Sequence, residues 1–210
     1  MDATPLVSIK LSEAAKFIAD DAQDGHICIL GDTGSGKTRL ALLLYRQAIA
    51  SGRVVGYIGT HGVGGGQSTN LPLTAETPHL VSLPGIGVDR EGKLREALGL
   101  VTEFETVASA NDEKLTLIID EHLFWGKEVL RKAVAFSKLT GTQLIAVGQQ
   151  YPDPLDQVSF AKVVAFRVSP RESAGLFDGL LDTSSLRAGE FGMVDLSGNA
   201  KRALISDWAG

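Results

Sequence analysis

The sequence predicts an α/β fold in which a mostly parallel β-sheet lies between two layers of helices, with a short β-rich part at the C-terminal end. Short apolar runs alternate with amphipathic segments along the chain, which is the pattern of βαβ units. The central runs, ICIL and LTLII, are apolar at almost every position, as expected of strands covered on both faces. Ligands of such sheets bind at the carboxyl ends of the strands, so the residues after Leu30, Ile119 and Gly148 should carry the chemistry.

Each element is predicted from its hydrophobic period and from the residues that bound it. The first helix, over residues 11–20, has its apolar positions on one face and Ser12 as candidate N-cap. Further helices are predicted over residues 38–50, 90–110, 126–139 and 170–180, the last opened by Pro170. Strands are predicted over residues 26–30, 53–59, 79–84, 114–120, 142–148 and 162–169. A glycine-rich loop spans residues 60–70, and short strands with turns at 188–189 and 197–199 follow Leu186.

Composition excludes several classes of protein. The 210 residues are 44% hydrophobic, enough for a sizeable core, and carry 20 basic and 25 acidic residues, a net charge of −5. A globally basic nucleic-acid binder is therefore excluded, although a local basic surface is not. The single cysteine cannot form an internal disulfide, and no apolar run is long enough for a membrane span. We expect one cytoplasmic domain over residues 1–210, with an N-terminal helical extension (1–24) and a core (26–196).

Residues 31–38 read GDTGSGKT, which matches the P-loop or Walker A pattern. Glycines let the backbone curl around a phosphate with its N–H groups pointing inward, and the following helix adds the positive end of its dipole. The motif lies between an apolar strand and a helix, as a RecA-like P-loop fold requires. It predicts an ATP site in which Lys37 reaches the β- and γ-phosphates and the Thr38 hydroxyl binds Mg²⁺. The predicted nucleotide-binding residues are Gly31, Asp32, Thr33, Gly34, Ser35, Gly36, Lys37, Thr38 and Arg39.

Two carboxylates end the strand LTLIIDE. In P-loop enzymes an aspartate at this place holds Mg²⁺, so Asp120 is the predicted second metal residue, in the Walker B position. Glu121 can act as general base for the attacking water. A hydrolase needs such a base, whereas a small-molecule kinase must keep water out. The pair therefore favours ATP hydrolysis over phosphoryl transfer, with a solvated strand end as the alternative.

The next buried strand, TQLIAVG, ends in Gln149 and Gln150. We expect this strand to lie beside the acid strand, so that the Gln149 amide can touch both the γ-phosphate and the attacking water. A pair of exposed loop glutamines is the alternative, and it is favoured for Gln150.

Together these motifs resemble the FtsK/HerA superfamily of DNA-pumping ATPases. The resemblance rests on GDTGSGKT, LIIDE, LIAVGQQYPDP, AFRVSPRESAGLF and LRAGEFGMVDL, in that order, between about His26 and Leu196. In that superfamily the acid-pair strand precedes a strand ending in glutamine, often before proline, and a Gly-Glu turn precedes the last strand. One departure is that the superfamily commonly has Gln-Arg-Pro, where this chain has Gln149-Gln150-Tyr151-Pro152. The role of that basic residue is therefore lost or moved.

The resemblance implies ATP-driven translocation or packaging of double-stranded DNA by a homo-oligomeric ring, expected to be a hexamer. The small size and the lack of membrane segments make the chain most similar to compact viral genome-packaging ATPases. The expected partners are double-stranded DNA, further copies of the chain and capsid or viral membrane vertex proteins, in the host cytoplasm or the virion.

A ring implies further candidate residues. Arg167 and Arg171 are candidates for the arginine that a neighbouring subunit inserts into the site, with pairing to a local acid such as Glu172 as the alternative. Residues 60–70, with the backbone of Gly64–Gly66, could line a pore or form a surface loop. Arg90, Lys93 and Arg95 could contact DNA, although the interspersed acids favour a solvated helix face.

Two other functions remain open. A nucleoside kinase of the thymidine-kinase type also has a P-loop, an acid pair and a following aromatic, but usually adds a cysteine zinc ribbon. A non-catalytic nucleotide switch has no use for Glu121 as a general base. DNA-stimulated ATP hydrolysis distinguishes translocation from both.

Overall fold

The computed structural model describes residues 6–19, 25–59, 79–82, 89–110, 114–152, 160–171, 173 and 181–208. These residues form four helices and nine strands. The helices are α1 (Leu11–Ala19), α2 (Lys37–Ala50), α3 (Arg90–Ala110) and α4 (Gly126–Thr140). The strands are β1 (Leu6–Ile9), β2 (Ile27–Leu30), β3 (Val54–Gly59), β4 (His79–Ser82), β5 (Leu115–Asp120), β6 (Gln143–Gly148), β7 (Lys162–Ala165), β8 (Glu190–Asp195) and β9 (Ala200–Ile205).

All the described strands belong to one mixed sheet, in the order β1-β9-β8-β7-β2-β6-β5-β3-β4. The six strands from β7 to β4 run parallel, while β8 is antiparallel to both β7 and β9. The strand β6 pairs with β5, as expected from the sequence, and with β2 on its other side. The predicted α/β class with a mostly parallel sheet and a β-rich C-terminal part is therefore confirmed.

Helices cover both faces of the sheet and make three layers. Along β2 the side chains alternate between the faces, as strand geometry demands. Cys28 and Leu30 share a core with buried residues of α3 and α4. Ile27 and Ile29 pack instead with buried residues of α1 and α2. Because β2 is buried between the two helical layers, its position is fixed. Residues 31–36, which follow its carboxyl end, therefore start from a fixed place at the edge of the sheet.

The N-terminal segment differs from its prediction. Residues 6–9 form the edge strand β1, parallel to β9, although no strand was predicted before the first helix. The helix α1 starts at Leu11, whose N–H donates to Asp207 Oδ1 at 2.6 Å, so Ser12 lies inside the helix and is not its cap. Because α1 and Ile9 share a core with α2, this segment packs onto the sheet as part of it. The proposed boundary between extension and core stays a prediction.

Other boundaries shift by a few residues. The strand β7 ends at Ala165 instead of Ser169, because the chain leaves the ladder to run beside the P-loop. Pro170, Arg171 and Ser173 are helical, and the rest of the helix predicted to Leu180 lies outside the described residues. So do residues 83–84 of the third predicted strand and the glycine-rich segment 60–70. Among the described helices none is both long and apolar enough to cross a membrane.

Candidate nucleotide-binding and catalytic site

The GDTGSGKT segment forms a loop between β2 and α2, as a phosphate-binding loop requires. Gly34 and Gly36 have φ angles of 76° and 103°, the left-handed region that only glycine enters at low cost. Ser35 packs its side chain against Gly31, where an added Cβ would overlap it. The buried Ser35 hydroxyl finds no hydrogen-bond partner among the described residues. A buried hydroxyl at this place in the loop fits a polar ligand such as phosphate, to which it can donate a hydrogen bond.

Lys37 starts α2 and its side chain is buried, which is unusual for a lysine. Its Nζ lies 3.3 Å from Glu121 Oε1 and 3.5 Å from the carbonyl oxygen of Asp32. The P-loop lysine and the predicted general base are thus in direct contact, although 84 residues separate them in the sequence. Because the lysine charge is buried, an anion that enters the loop finds a cation already in place.

Asp120 ends β5 and is fully buried. Its Oδ2 accepts a hydrogen bond from the Tyr57 hydroxyl at 2.7 Å, and its Oδ1 accepts one from the Glu121 N–H at 3.0 Å. Burial raises the pKa of Asp120; hydrogen bonds from Tyr57 and Thr38 lower it, the charge of Glu121 raises it, and that of Lys37 lowers it. Burial and Asp120 also raise the pKa of Tyr57 well above its usual range, so its hydroxyl stays protonated and remains a donor.

The Thr38 and Asp120 side chains are hydrogen-bonded to each other, one on α2 and one on β5. A hydroxyl and a carboxylate are hard oxygen ligands, the type that Mg²⁺ prefers together with phosphate oxygens and water. The donor set therefore fits the predicted metal pair.

The backbone turns sharply at Glu121, which has a φ of 56°, in a region unusual for a residue with a side chain. The buried Trp125 fixes this turn, because its Nε1–H donates to the Asp120 carbonyl oxygen at 2.9 Å. Trp125 is thus a packing residue, whereas the neighbouring Phe124 is 41% exposed. This left-handed turn directs the Glu121 carboxylate toward Lys37 of the P-loop instead of along the strand.

The tip of β6 lies beside this turn, since Asp120 is paired with Val147. Gln149 and Gln150 follow directly and both are exposed. His122 connects the two tips: its backbone N–H donates to Val147 O at 3.0 Å, and its Nε2 lies 3.0 Å from Gln150 O. Since a carbonyl oxygen only accepts, Nε2 carries the proton.

The candidate arginines lie on the other flank of the P-loop. Arg167 follows β7, its carbonyl oxygen accepts from the Asp32 N–H at 2.9 Å, and its Nε lies 3.7 Å from Asp32 Oδ2. Both side chains of that ion pair are about half exposed, so the pair holds Arg167 weakly. Arg171 is exposed as well. Arg39 lies on α2, with its guanidinium 4.9 Å above the ring of Trp208.

Of the candidate DNA-contacting residues, the structure describes the side chains of Lys93 and Arg95, both near the start of α3. Lys93 pairs with Glu96 at 2.7 Å along α3, which agrees with a solvated helix face, and Arg95 is exposed. The side chain of Arg90 and the whole of residues 60–70 lie outside what the structure describes. The larger of two described cavities, about 320 Å³, lies at the opposite edge of the sheet, where β2, β3, β5 and β6 begin, and none of the predicted site residues lines it.

Sequence reasoning missed three residues of this edge: Tyr57, His122 and Trp208. Tyr57 carried a signal, because a tyrosine inside a fully buried strand needs a partner for its hydroxyl. His122 directly follows the acid pair, but nothing local shows that its side chain reaches Gln150. Trp208 reaches the P-loop only through the pairing of β9 with β8 and β1, which is invisible in the local sequence.

Comparison with known proteins finds solved structures of similar fold at low sequence identity. Searches for a matching family model and for curated relatives each gave no match. Among solved structures, the genome-packaging NTPase B204 of Sulfolobus turreted icosahedral virus 2, in complex with ATPγS, has a TM-score of 0.62 and 16% identity, over 85% of this chain and 96% of that chain. The DNA-packaging ATPase B204 of Sulfolobus turreted icosahedral virus gives a TM-score of 0.61 at 18% identity, with the same coverage.

A third similar structure is EssC (ATPases 2 and 3) from Geobacillus thermodenitrificans, with a TM-score of 0.58 and 13% identity, over 88% of this chain and 37% of that one. At these identities the likeness shows a common fold. It confirms the P-loop architecture predicted from the sequence, and it agrees with the FtsK/HerA resemblance at that level.

Proposed function

We propose that this protein hydrolyses ATP and uses the energy to move double-stranded DNA, as a genome-packaging motor. The observation that carries the proposal is the joining of Lys37, Glu121, Asp120 and Thr38 at one edge of a sheet with the B204 fold. The similar B204 structures are those of a packaging NTPase with ATPγS, AMPPCP and AMP, which supports a nucleotide as the ligand of this loop.

In the proposed reaction, the triphosphate lies in the P-loop with its γ-phosphate toward the tips of β5 and β6. Lys37 leaves Glu121 and pairs with the phosphate oxygens, which gain negative charge as the bond to the leaving group breaks. The Glu121 carboxylate, released from the lysine, accepts the proton of the attacking water. Gln149, at the tip of the neighbouring strand β6, would orient that water.

Thr38 and Asp120 would hold Mg²⁺, which when bound neutralises charge between the β- and γ-phosphates. The hydrogen bond from Tyr57 fixes the orientation of the Asp120 carboxylate and favours its ionised form. The Glu121 N–H also donates to Asp120, so the metal residue and the general base are held by one turn of chain.

The proposed motor is a ring of identical subunits, expected to be hexameric, with Arg167 or Arg171 completing the site of a neighbour. Arg167 is exposed, close to the phosphate loop and only weakly paired, which leaves it available to a second subunit. Capsid or viral membrane vertex proteins are the proposed docking partners, in the host cytoplasm or the virion.

The first experiment measures ATP turnover by the purified chain with and without duplex DNA of unrelated sequences, over a series of salt concentrations. We expect DNA to stimulate ATP turnover independently of its sequence, with an effect that falls steeply as salt rises. A motor that contacts the DNA phosphates releases counterions on binding, and salt opposes this release. Glu121→Gln should lower turnover about 100-fold while ATP still binds. Glu128→Gln, on the exposed face of α4, is the matched control. Turnover that ignores DNA at every salt concentration refutes translocation, and phosphorylation of nucleosides instead would establish a kinase.

A mixing experiment tests the ring. Arg167→Ala alone should lose turnover by a factor on the order of 10³ if this arginine acts on a neighbour. Mixing it with Glu121→Gln subunits creates interfaces that have an intact base on one side and an intact arginine on the other. Turnover should therefore reappear in the mixture, and Arg46→Ala, exposed on α2, should behave as the wild type. Absence of recovery refutes an Arg167 role in trans.

A further inference from the structure

The P-loop carries an aromatic surface on the flank away from the catalytic acids. Trp208 follows β9 and its ring lies directly against Gly36, in the space that a side chain at that position would need. Its Cβ packs on Gly189, and its ring centroid lies 6.0 Å from that of Phe166. Trp208 remains partly exposed, and the Arg39 guanidinium lies 4.9 Å from the ring centroid.

The sheet order gives a bound triphosphate a direction. Asp120, Glu121 and Gln149 lie at the tips of β5 and β6, on one side of β2. The γ-phosphate must point to that side, because the base and the metal residues are there. The α-phosphate and the nucleoside therefore leave toward the other side, where β7, β8 and β9 lie. The registers place the end of β7, the start of β8 and the end of β9 at the same edge as the P-loop.

We propose, on the basis of the proposed function, that Trp208 and Arg39 form the platform on which the nucleobase stacks. An indole ring and a guanidinium plane are the side-chain surfaces that stack on any base. Phe166 packs against the Trp208 ring, with the two planes tilted by 39°, and also lines, with residues 33–35, 167 and 186–188, a hollow of about 90 Å³ beside the loop. The flank of the P-loop thus has both a stacking surface and open space next to it.

The test separates the base from the phosphates by comparing ATP with inorganic tripolyphosphate, both with Mg²⁺, on the full chain. Trp208→Ala should weaken ATP binding about 10-fold or more, since losing a stacked base costs at least this much on average. Its affinity for tripolyphosphate should change less than about twofold, because tripolyphosphate has no base to stack. Trp208→Phe keeps a flat ring and should retain most of the ATP affinity.

A second readout is the tryptophan emission that Trp208→Phe removes from the wild-type spectrum. This difference signal should change on addition of ATP and stay constant on addition of tripolyphosphate. Equal weakening of ATP and tripolyphosphate by Trp208→Ala would make Trp208 a structural support of the P-loop and overturn the proposal. Unchanged ATP affinity in Trp208→Ala would overturn it as well. If the wild type binds neither compound, the proposed function itself has failed.

Discussion

Removal of the hydrogen bond between Tyr57 and Asp120 should change the stability of the protein by a measurable amount that depends on pH. Both side chains are fully buried, and the Tyr57 hydroxyl donates to Asp120 Oδ2 at 2.7 Å. Tyr57→Phe removes one oxygen atom and leaves the ring in place. A hydrogen bond to a charged group is worth about 1.5–3 kcal/mol, so we expect the free energy of unfolding to fall by about 2 kcal/mol near neutral pH. For a chain of this length that corresponds to roughly 6 °C in Tm.

The pH dependence of this loss follows from the direction of the pKa. Burial raises the pKa of Asp120, and the Tyr57 bond opposes the rise by stabilising the carboxylate. Removing the bond raises the pKa of Asp120 in the folded variant above that in the folded wild type. The extra loss of stability in the variant therefore develops as the pH rises from the folded pKa of the wild type to that of the variant. Below the folded pKa of the wild type the acid is protonated in both proteins, and a bond to a neutral acid is worth only about 1 kcal/mol. The difference between the two proteins should therefore shrink as the pH falls.

The assay is urea unfolding of the nucleotide-free chain at several pH values, followed by tryptophan fluorescence. Tyr45→Phe is the matched control, because Tyr45 is partly exposed and contacts Tyr57 through their rings, with centroids 5.9 Å apart. This control should lie within about 0.5 kcal/mol of the wild type. If Tyr57→Phe costs no more than Tyr45→Phe, or if its cost does not change with pH, the role of Tyr57 as support of the Asp120 carboxylate is refuted.

Three further predictions concern the same fold. Burial and, second, Lys138 lower the pKa of His26, whose Nδ1 accepts from the Leu144 N–H at 3.1 Å. Stability should therefore fall as the pH drops below about 6.5, and His26→Asn should flatten this part of a Tm-against-pH curve. His122→Ala should lower kcat about 10-fold with little change in KM, since it frees the Gln149 tip without touching phosphate; equal changes in both would contradict this. Gly36→Ala, at φ 103° and against Trp208, should lower the free energy of unfolding by at least about 1 kcal/mol. Gly99→Ala, at an exposed position in the middle of α3 where an added Cβ has space, should raise it slightly.

The central strands could be predicted from the sequence because their signal is local. Runs such as ICIL and LTLII are apolar at almost every position, and in the structure β2 and β5 are buried at every position. The edge strand β1 was missed although LVSI contains three apolar residues, because the run is only four residues long and its pairing with β9 joins residues almost 200 positions apart. In the structure three of its four residues are exposed, so the strand is held mainly by backbone hydrogen bonds to β9, which leave no signal in the local sequence.

The same distinction applies to the site. Lys37, Thr38, Asp120 and Glu121 belong to short motifs, because each must lie at the end of one strand or the start of one helix. The contacts that give those residues their properties come from elsewhere in the chain: Tyr57 on β3, His122 beside β6, and Trp208 after β9. A motif therefore identifies the residues proposed to react, while their burial, ionisation and side-chain orientation depend on the order of the strands. Since β3 and β9 lie on opposite sides of β2, the two ends of a nucleotide bound as proposed would meet different sets of supporting residues. Substitutions on the β3 side should therefore change catalysis and metal dependence, and those on the β9 side should change the affinity for the nucleoside.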